Sequence, residues 1–278
     1  MSDIKGQVGA HYHYDRRRLQ SPHDHKSWFS RHSHNTYELL FFEEGDATYV
    51  IEDRKYKLNP NDLVFTRPGQ YHYIDLQSNA PYARINVTFD AEFVGKELLR
   101  SIPDGIEIVS CPKKSIIAEN LSRIDYYRDN LSEEDFRSVL SSLLREIFYN
   151  VKLSSENAST PPQETSPLLK SALEYINTNL FQIKSVDEIS RALFITDAYF
   201  FKIFKSQLKI SPKKYINTKR LLHAQKLLRR GKKPTDIYSE CGFESYVGFY
   251  KQYVKQFGYP PSMESTSNST NERAASSV

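Results

Sequence analysis

Apolar positions change period along this chain, and the change divides it. Tyr37, Leu39, Leu40, Phe41 and Phe42 precede a Glu44-Gly45-Asp46 turn, and Tyr49, Val50 and Ile51 follow it. Aromatic and branched residues broken by turn residues predict strands. Asn59-Pro60-Asn61-Asp62 and Arg67-Pro68-Gly69-Gln70 predict further turns. After Tyr82, Ile85, Val87 and Phe89 alternate with Arg84, Asn86 and Thr88, the period of a half-buried strand. Many short strands at this spacing predict a barrel or sandwich. The period then lengthens, predicting helices over Glu92–Ile102, Ser115–Asn130 and Glu133–Lys152. The last has a continuous apolar stripe from Phe136 to Val151, which reads as packing on the strands or as a dimer seam.

Beyond Pro167 the helical period continues and repeats. Leu169, Ala172, Leu173 and Ile176 mark a first helix. Ser185 and Glu188 have capping-box spacing for a second, and Thr196 caps a third that buries Phe200, Phe204 and Leu208. Ile189 recurs as Ile237 at an offset of 48, whereas Phe200 recurs as Phe249 and Phe204 as Tyr253 at 49. One residue has therefore entered the second copy, near Gly242. Short helix, turn and second helix make a helix-turn-helix, and here there are two. Between them Pro212 to Arg230 predicts a helix of 19 residues, roughly 28 Å long. That length can set two reading helices in successive major grooves, about 34 Å apart.

Subtracting the buried positions leaves Asp197, Ala198, Phe201, Lys202 and Lys205 outward on the first reading helix, and Ser245, Tyr246, Val247, Tyr250 and Lys251 on the second. Apolar side chains there can meet thymine methyls and sugars, and the lysines can reach guanine edges or phosphates. Charge agrees: residues 167–261 hold 17 Lys/Arg against 7 Asp/Glu, and residues 1–166 hold 20 against 25. Only the C-terminal half is built to meet a polyanion. Two distant cysteines, Cys111 and Cys241, suit a reducing compartment. The lack of an apolar leader and of any membrane-length apolar run predicts a cytoplasmic protein.

The order ISxxLxxTxxYFxxxFK, a long helix, GFES and FYKQxxKQFGYPP resembles the DNA-binding domain of AraC/XylS-type transcription regulators over roughly residues 168–261. That resemblance puts base-reading positions on Ala198, Phe201 and Lys202, and on Tyr246, Val247 and Lys251. Family members usually continue past the last proline with a Tyr-Arg pair, whereas here Ser262-Met263-Glu264-Ser265 follows. In the N-terminal half, His32, His34 and Glu38 with His72 in a PGxxH turn resemble the metal motif of cupins. Sensors fused to AraC-type DNA-binding domains resemble cupins too. The fusion therefore favours a ligand pocket over a metal centre, with His32, His34, Glu38, His72 and Arg84 as effector-binding candidates. Arg67, Asn86 and the aromatics Tyr37, Tyr49, Phe65, Tyr71 and Tyr73 are further pocket candidates, on faces the sequence leaves open.

The expected protein is multidomain: an N-terminal all-β cupin-like barrel with accessory helices, then a C-terminal all-α double helix-turn-helix domain. The expected boundaries are a flexible arm at 1–19, the sensing and dimerisation domain at 20–152, a linker at 153–167, the DNA-binding domain at 168–261 and a disordered tail at 262–278. The expected function is sequence-specific transcription regulation by a homodimer. Its partners are double-stranded DNA and a small-molecule effector, by resemblance a sugar. No catalytic residue, cofactor or resident metal is expected. The alternatives are a cupin metalloenzyme tethered to nucleic acid and a constitutive DNA-binding dimer.

Overall fold

Residues 12–154 and 166–264 are described by the computed structural model, and they fall into two compact units. The first begins with β1 (Tyr12–Leu19). The β2 (Tyr37–Glu44) and β3 (Ala47–Ile51) strands flank the Glu44-Gly45-Asp46 turn. They are followed by β4 (Arg54–Lys57), β5 (Asp62–Thr66), β6 (His72–Leu76) and β7 (Tyr82–Phe89). Two short helices, α1 (Ala91–Val94) and α2 (Lys96–Arg100), replace the single predicted one because Gly95, at φ 117, breaks it. The unit closes with β8 (Ile108–Ser110), α3 (Ile116–Asn130) and α4 (Glu133–Ser154).

These strands make a five-stranded sheet in the order β1-β7-β2-β5-β8 and a three-stranded sheet in the order β4-β3-β6. Period-two alternation gives the larger sheet two faces. Leu39, Phe41, Phe65, Val87 and Phe89 form one core with Leu140, Leu144, Ile147 and Phe148 of α4. The α4 stripe is therefore spent on internal packing and is not itself a dimer seam. On the opposite face Leu40, Phe42 and Val64 share a second core with Tyr49, Ile51 and Tyr56 of the smaller sheet. That interior is where the N-terminal site lies.

The arm expected at 1–19 needs correction. Residues 12–19 pair along their whole length with β7, from Tyr12 opposite Phe89 to Leu19 opposite Tyr82. The Tyr14 hydroxyl donates to Asp125 of α3, and Arg16 bridges Asp125 and Glu43. Charged side chains on an edge strand concealed it as a polar segment. Residues 1–11, 155–165 and 265–278, which include most of the expected arm, linker and tail, lie outside the described residues.

The second unit is helical: α5 (Pro167–Asn179), α6 (Asp187–Ala192), α7 (Asp197–Leu208), α8 (Pro212–Arg229), α9 (Pro234–Ile237) and α10 (Tyr246–Phe257). The repeat is visible in its packing. Ile189 and Ile237, Phe200 and Phe249, and Phe204 and Tyr253 are all fully buried. Thr196 and Ser245 cap α7 and α10 through amides three residues on. The expected capping box at Ser185 is different: the Ser185 hydroxyl meets the Glu188 carboxylate at 3.4 Å, and α6 starts one residue late with no side-chain cap.

Past its last proline the chain finds its own anchor. Glu264 is buried, accepting from the hydroxyls of Tyr253 at 2.7 Å and Tyr259 at 2.6 Å and from Arg229 Nε at 2.8 Å. Gln225 Nε2 donates as well, at 3.3 Å, so the folded unit reaches Glu264, not Pro261, because one carboxylate gathers four donors. Burial opposes its charge, but the bonds from Tyr259, Arg229 and Tyr253 outweigh that and hold its carboxyl below the usual range. A lowered carboxylate stabilises the fold above its unfolded pKa of about 4.3, and that contribution fades as pH falls through the lower folded value. Glu264→Gln is expected to destabilise this unit by about 1–2 kcal/mol at pH 7. Urea melts between about pH 5 and 3 should then lose less stability in the variant than in the parent; parallel profiles would refute the role.

Candidate functional site: a DNA-reading face and a histidine-carboxylate cluster

The two helix-turn-helix copies are built by one backbone device. In the first turn Phe194 N donates to Arg191 O at 3.1 Å and Ile195 N to Ser190 O at 3.0 Å. In the second, Gly242 N donates to Ser239 O at 2.9 Å and Phe243 N to Tyr238 O at 3.0 Å. Phe194 and Gly242 both take the left-handed conformation, at φ 55 and 78. They are 48 apart, while the caps Thr196 and Ser245 are 49 apart, so the extra residue sits between Gly242 and Ser245. Only the second copy needs glycine. A Cβ on Gly242 would lie 2.8 Å from the Arg220 guanidinium and from Phe181 O. Arg220 is the joint between the copies: it donates to Leu180 O at 2.8 Å, to Ile183 O at 2.5 Å and to Gly242 O at 2.8 Å.

On α7 the side chains of Asp197, Ala198, Phe201, Lys202 and Lys205 are exposed. On α10 Ser245, Val247, Tyr250 and Lys251 are exposed. Tyr246 is the exception. It is half-buried, its ring set edge-on to Tyr238 at 6.1 Å and beside Phe249 at 6.2 Å. Ser245 faces outward, but its hydroxyl accepts from Gly248 N at 3.2 Å as the helix cap. Two large exposed residues escaped the sequence reading, Phe194 at 94% exposure and Tyr199 at 51%. Phe194 was missed because it breaks the rule that a left-handed turn residue is glycine or asparagine; Tyr199 could have been found from the helical wheel.

In the N-terminal unit His32 and His72 exchange backbone hydrogen bonds of 3.1 and 3.0 Å, which ties the segment before β2 to the start of β6. Gly69 N donates to His34 O at 2.8 Å, so the Pro68-Gly69 turn pins the second histidine. Glu38 points inward from β2 opposite Thr66. The result is one cluster. His34 Nε2 lies 2.9 Å and His72 Nε2 3.4 Å from Glu38 Oε2, and the Tyr49 hydroxyl donates to Glu38 Oε1 at 3.2 Å. Glu38 and His72 are buried and His34 half-buried, with His32 at the rim.

The wider comparison is decisive for the chain as a whole. The model of the AraC-like ligand binding domain family matches residues 16–170, more than half of the chain, and that of a helix-turn-helix domain matches residues 189–264. The chain belongs to the AraC family of transcription regulators. Among AraC-type relatives, the virulence regulon transcriptional activator VirF of Yersinia enterocolitica is 25% identical, over 82% of this chain and 89% of its own. The activator RhaR of Escherichia coli O139:H28 is 21% identical over 84% and 86%. The lactose operon transcription activator of Staphylococcus xylosus is 31% identical over 32% of each chain. The crystal structure of ToxT from Vibrio cholerae O395 covers 92% of this chain and 98% of its own at 15% identity, with a TM-score of 0.39 too low to bear on the fold. VirF, RhaR and the lactose operon protein are transcription activators. No helix among the described residues is long and apolar enough to cross a membrane.

Within this AraC-type sensor the electrostatics follow burial and pairing. Burial raises Glu38, but the facing His72 and His34 outweigh it and hold the carboxyl well below its usual value. Burial lowers His72, and the Glu38 charge more than offsets that, so His72 is raised. Loss of water around its ring, reinforced by His72, brings His32 down to about 4, although part of the residue still faces solvent. Strand register settles the open faces. Leu40 pairs with Asn86 and Phe42 with Arg84, placing both polar residues on the interior face, where Arg84 meets Asp15 at 3.2 Å. Arg67 does not join them: it donates to Ile102 O at 3.3 Å and Pro103 O at 2.8 Å. Tyr37 and Phe65 also leave the pocket, stacking at 5.7 Å on the helix-covered face.

Proposed function

We propose that this AraC-type regulator reads DNA with α7 and α10 in successive major grooves, as a homodimer, and that a small molecule held in the interior of the strand-rich domain changes its operator binding. The supporting observation is the pairing of the two faces. Ala198 corresponds to Val247, Phe201 to Tyr250 and Lys202 to Lys251 at the same offset of 49, and all six are exposed. A lysine beside apolar side chains on each reading helix suits guanine or phosphate contacts flanked by thymine methyls. Lys205 and Ser245 lie along the same faces, and Tyr246 contributes from its half-buried position. The α8 spacer is 18 residues, about 27 Å, close to one turn of duplex. Exposed Tyr126, Tyr149 and Leu153 on α3 and α4 offer apolar surface for a second copy.

For the effector, His32, His34, Glu38, His72 and Arg84, with Asn86, supply polar contacts beside the apolar Leu40, Phe42 and Val64, the composition of a small-molecule pocket. The lactose operon activator among the relatives supports a sugar. The regulator then works by population shift, the effector favouring the geometry in which two DNA-binding modules meet their half-sites. Selection from a random duplex pool tests the reading. The expected enrichment is for paired motifs with centres about 10 base pairs apart within one site. Recovery of unselected sequence would refute it. Thermal shift against sugars tests the effector: a true ligand present at about 100 times its Kd adds about 2.7 kcal/mol, and an unmoved melt across the panel would remove sugars.

A further inference from the structure

We infer that His32, His34, Glu38 and His72 form a site for one divalent first-row transition-metal ion inside the ligand-binding domain. The ring nitrogens carry the case. Nδ1 of His32 lies 2.8 Å from the Ser30 carbonyl oxygen, Nδ1 of His34 3.0 Å from that of Thr36, and Nδ1 of His72 3.0 Å from that of Gln70. A carbonyl oxygen can only accept, so in His32 and His72 Nδ1 donates and the neutral ring keeps its lone pair on Nε2, while Nδ1 of His34 also lies 2.9 Å from the Thr36 hydroxyl, which can donate to it. Metal-ligating histidines are held in this way, one nitrogen fixed by an outer partner and the other presented to the ion.

The three rings converge on one carboxylate. The ligand atoms of the four residues lie within 4.8 Å of one another. His34 Nε2 is 2.9 Å from Glu38 Oε2, and His72 Nε2 stands 3.4 Å away with no hydrogen-bond partner among the described residues. Glu38 and His72 are only 5% and 1% exposed, so water does not relieve the contact. Facing acceptors in a dry site are costly unless positive charge lies between them. A divalent cation satisfies all four donors at once. Donors about 2.1 Å from an ion lie at most about 4.2 Å apart, so the cluster must contract by about 0.6 Å, within reach of small side-chain rotations. Three imidazoles and one carboxylate select zinc, iron, nickel or copper over magnesium or calcium. The solvent-facing rim at His32 provides the way in. The sequence ranked a metal-free pocket first. The convergence of four ligand atoms and the Nδ1 contacts of His32 and His72, which no sequence displays, reverse that order.

The test uses the full chain, stripped with a chelator and dialysed against zinc or nickel chloride, with bound metal read by mass spectrometry and affinity by competition with a chromophoric chelator. Wild-type protein should take up about one equivalent per chain, with a higher melting temperature. His32→Ala, at the rim, should fold normally and bind about 10–100-fold more weakly. A His32→Ala, His34→Ala variant should bind only at background. Uptake below about 0.1 equivalent by wild type, or affinity unchanged in His32→Ala, overturns the site. Should the double variant misfold by circular dichroism, the single variant decides. Because this site shares the interior assigned to the effector, DNA binding is measured separately in the same samples. Its loss would count against the regulator reading and leave the metal result standing.

Discussion

Replacing Lys202 and Lys251 together with alanine is expected to lower affinity for the selected operator by about 100-fold or more, with the fold unchanged. The two lysines are exposed at equivalent places on α7 and α10, and neither forms an ion pair among the described residues, so truncation leaves no buried partner behind. Each base or phosphate contact contributes about 1–3 kcal/mol, and two in separate grooves should nearly add. The salt dependence separates their roles. If both meet phosphates, nonspecific binding falls with specific binding, and the slope of log K against log salt drops by about 1.8. If they read guanine, the nonspecific affinity holds while the ratio between operator and random duplex collapses. Unchanged operator affinity in a folded double variant would sink the assignment of this face.

The second large effect is at Arg220, far from any base. Arg220→Ala should destabilise the DNA-binding unit by on the order of 4 kcal/mol, since three carbonyls around a buried guanidinium lose a charged donor together. In a unit of about 100 residues that corresponds to a melting temperature lower by at least about 15 °C. Gly242→Ala should act through the same joint, because its Cβ would press on the guanidinium and on Phe181 O at a φ of 78. Hydrogen exchange on the full chain reads both variants: amides of α8 and α10 lose protection while those of β2 and β7 keep theirs. Retained protection in α8 and α10 would show that the joint is not what holds the two copies together.

Much of this was legible beforehand because it rests on periodicity. The α4 stripe, the alternation in β7 and the repeated phenylalanine and tyrosine positions each describe a face that must be buried, and burial is local arithmetic on one element. The reading helices followed by subtraction, and nine of the ten residues named as outward are exposed. Tyr246 departs because its position on the wheel is outward while its ring folds back onto Tyr238. The β1 strand escaped since pairing at a sheet edge needs no apolar pattern, only a neighbour with free amides.

By itself, then, the sequence determined the change from strands to helices, the two-copy plan of the DNA-binding half with its one-residue insertion, and the four residue types His, His, Glu and His that could meet. Those properties belong to single segments and their spacing. Tertiary structure alone decided which interior Arg84 and Asn86 share, that Arg67 serves the backbone around Ile102, that Glu264 closes the C-terminal unit, and which nitrogen each histidine turns toward Glu38. Each of these depends on an atom from a segment distant in sequence, a carbonyl or carboxylate whose position no local pattern encodes.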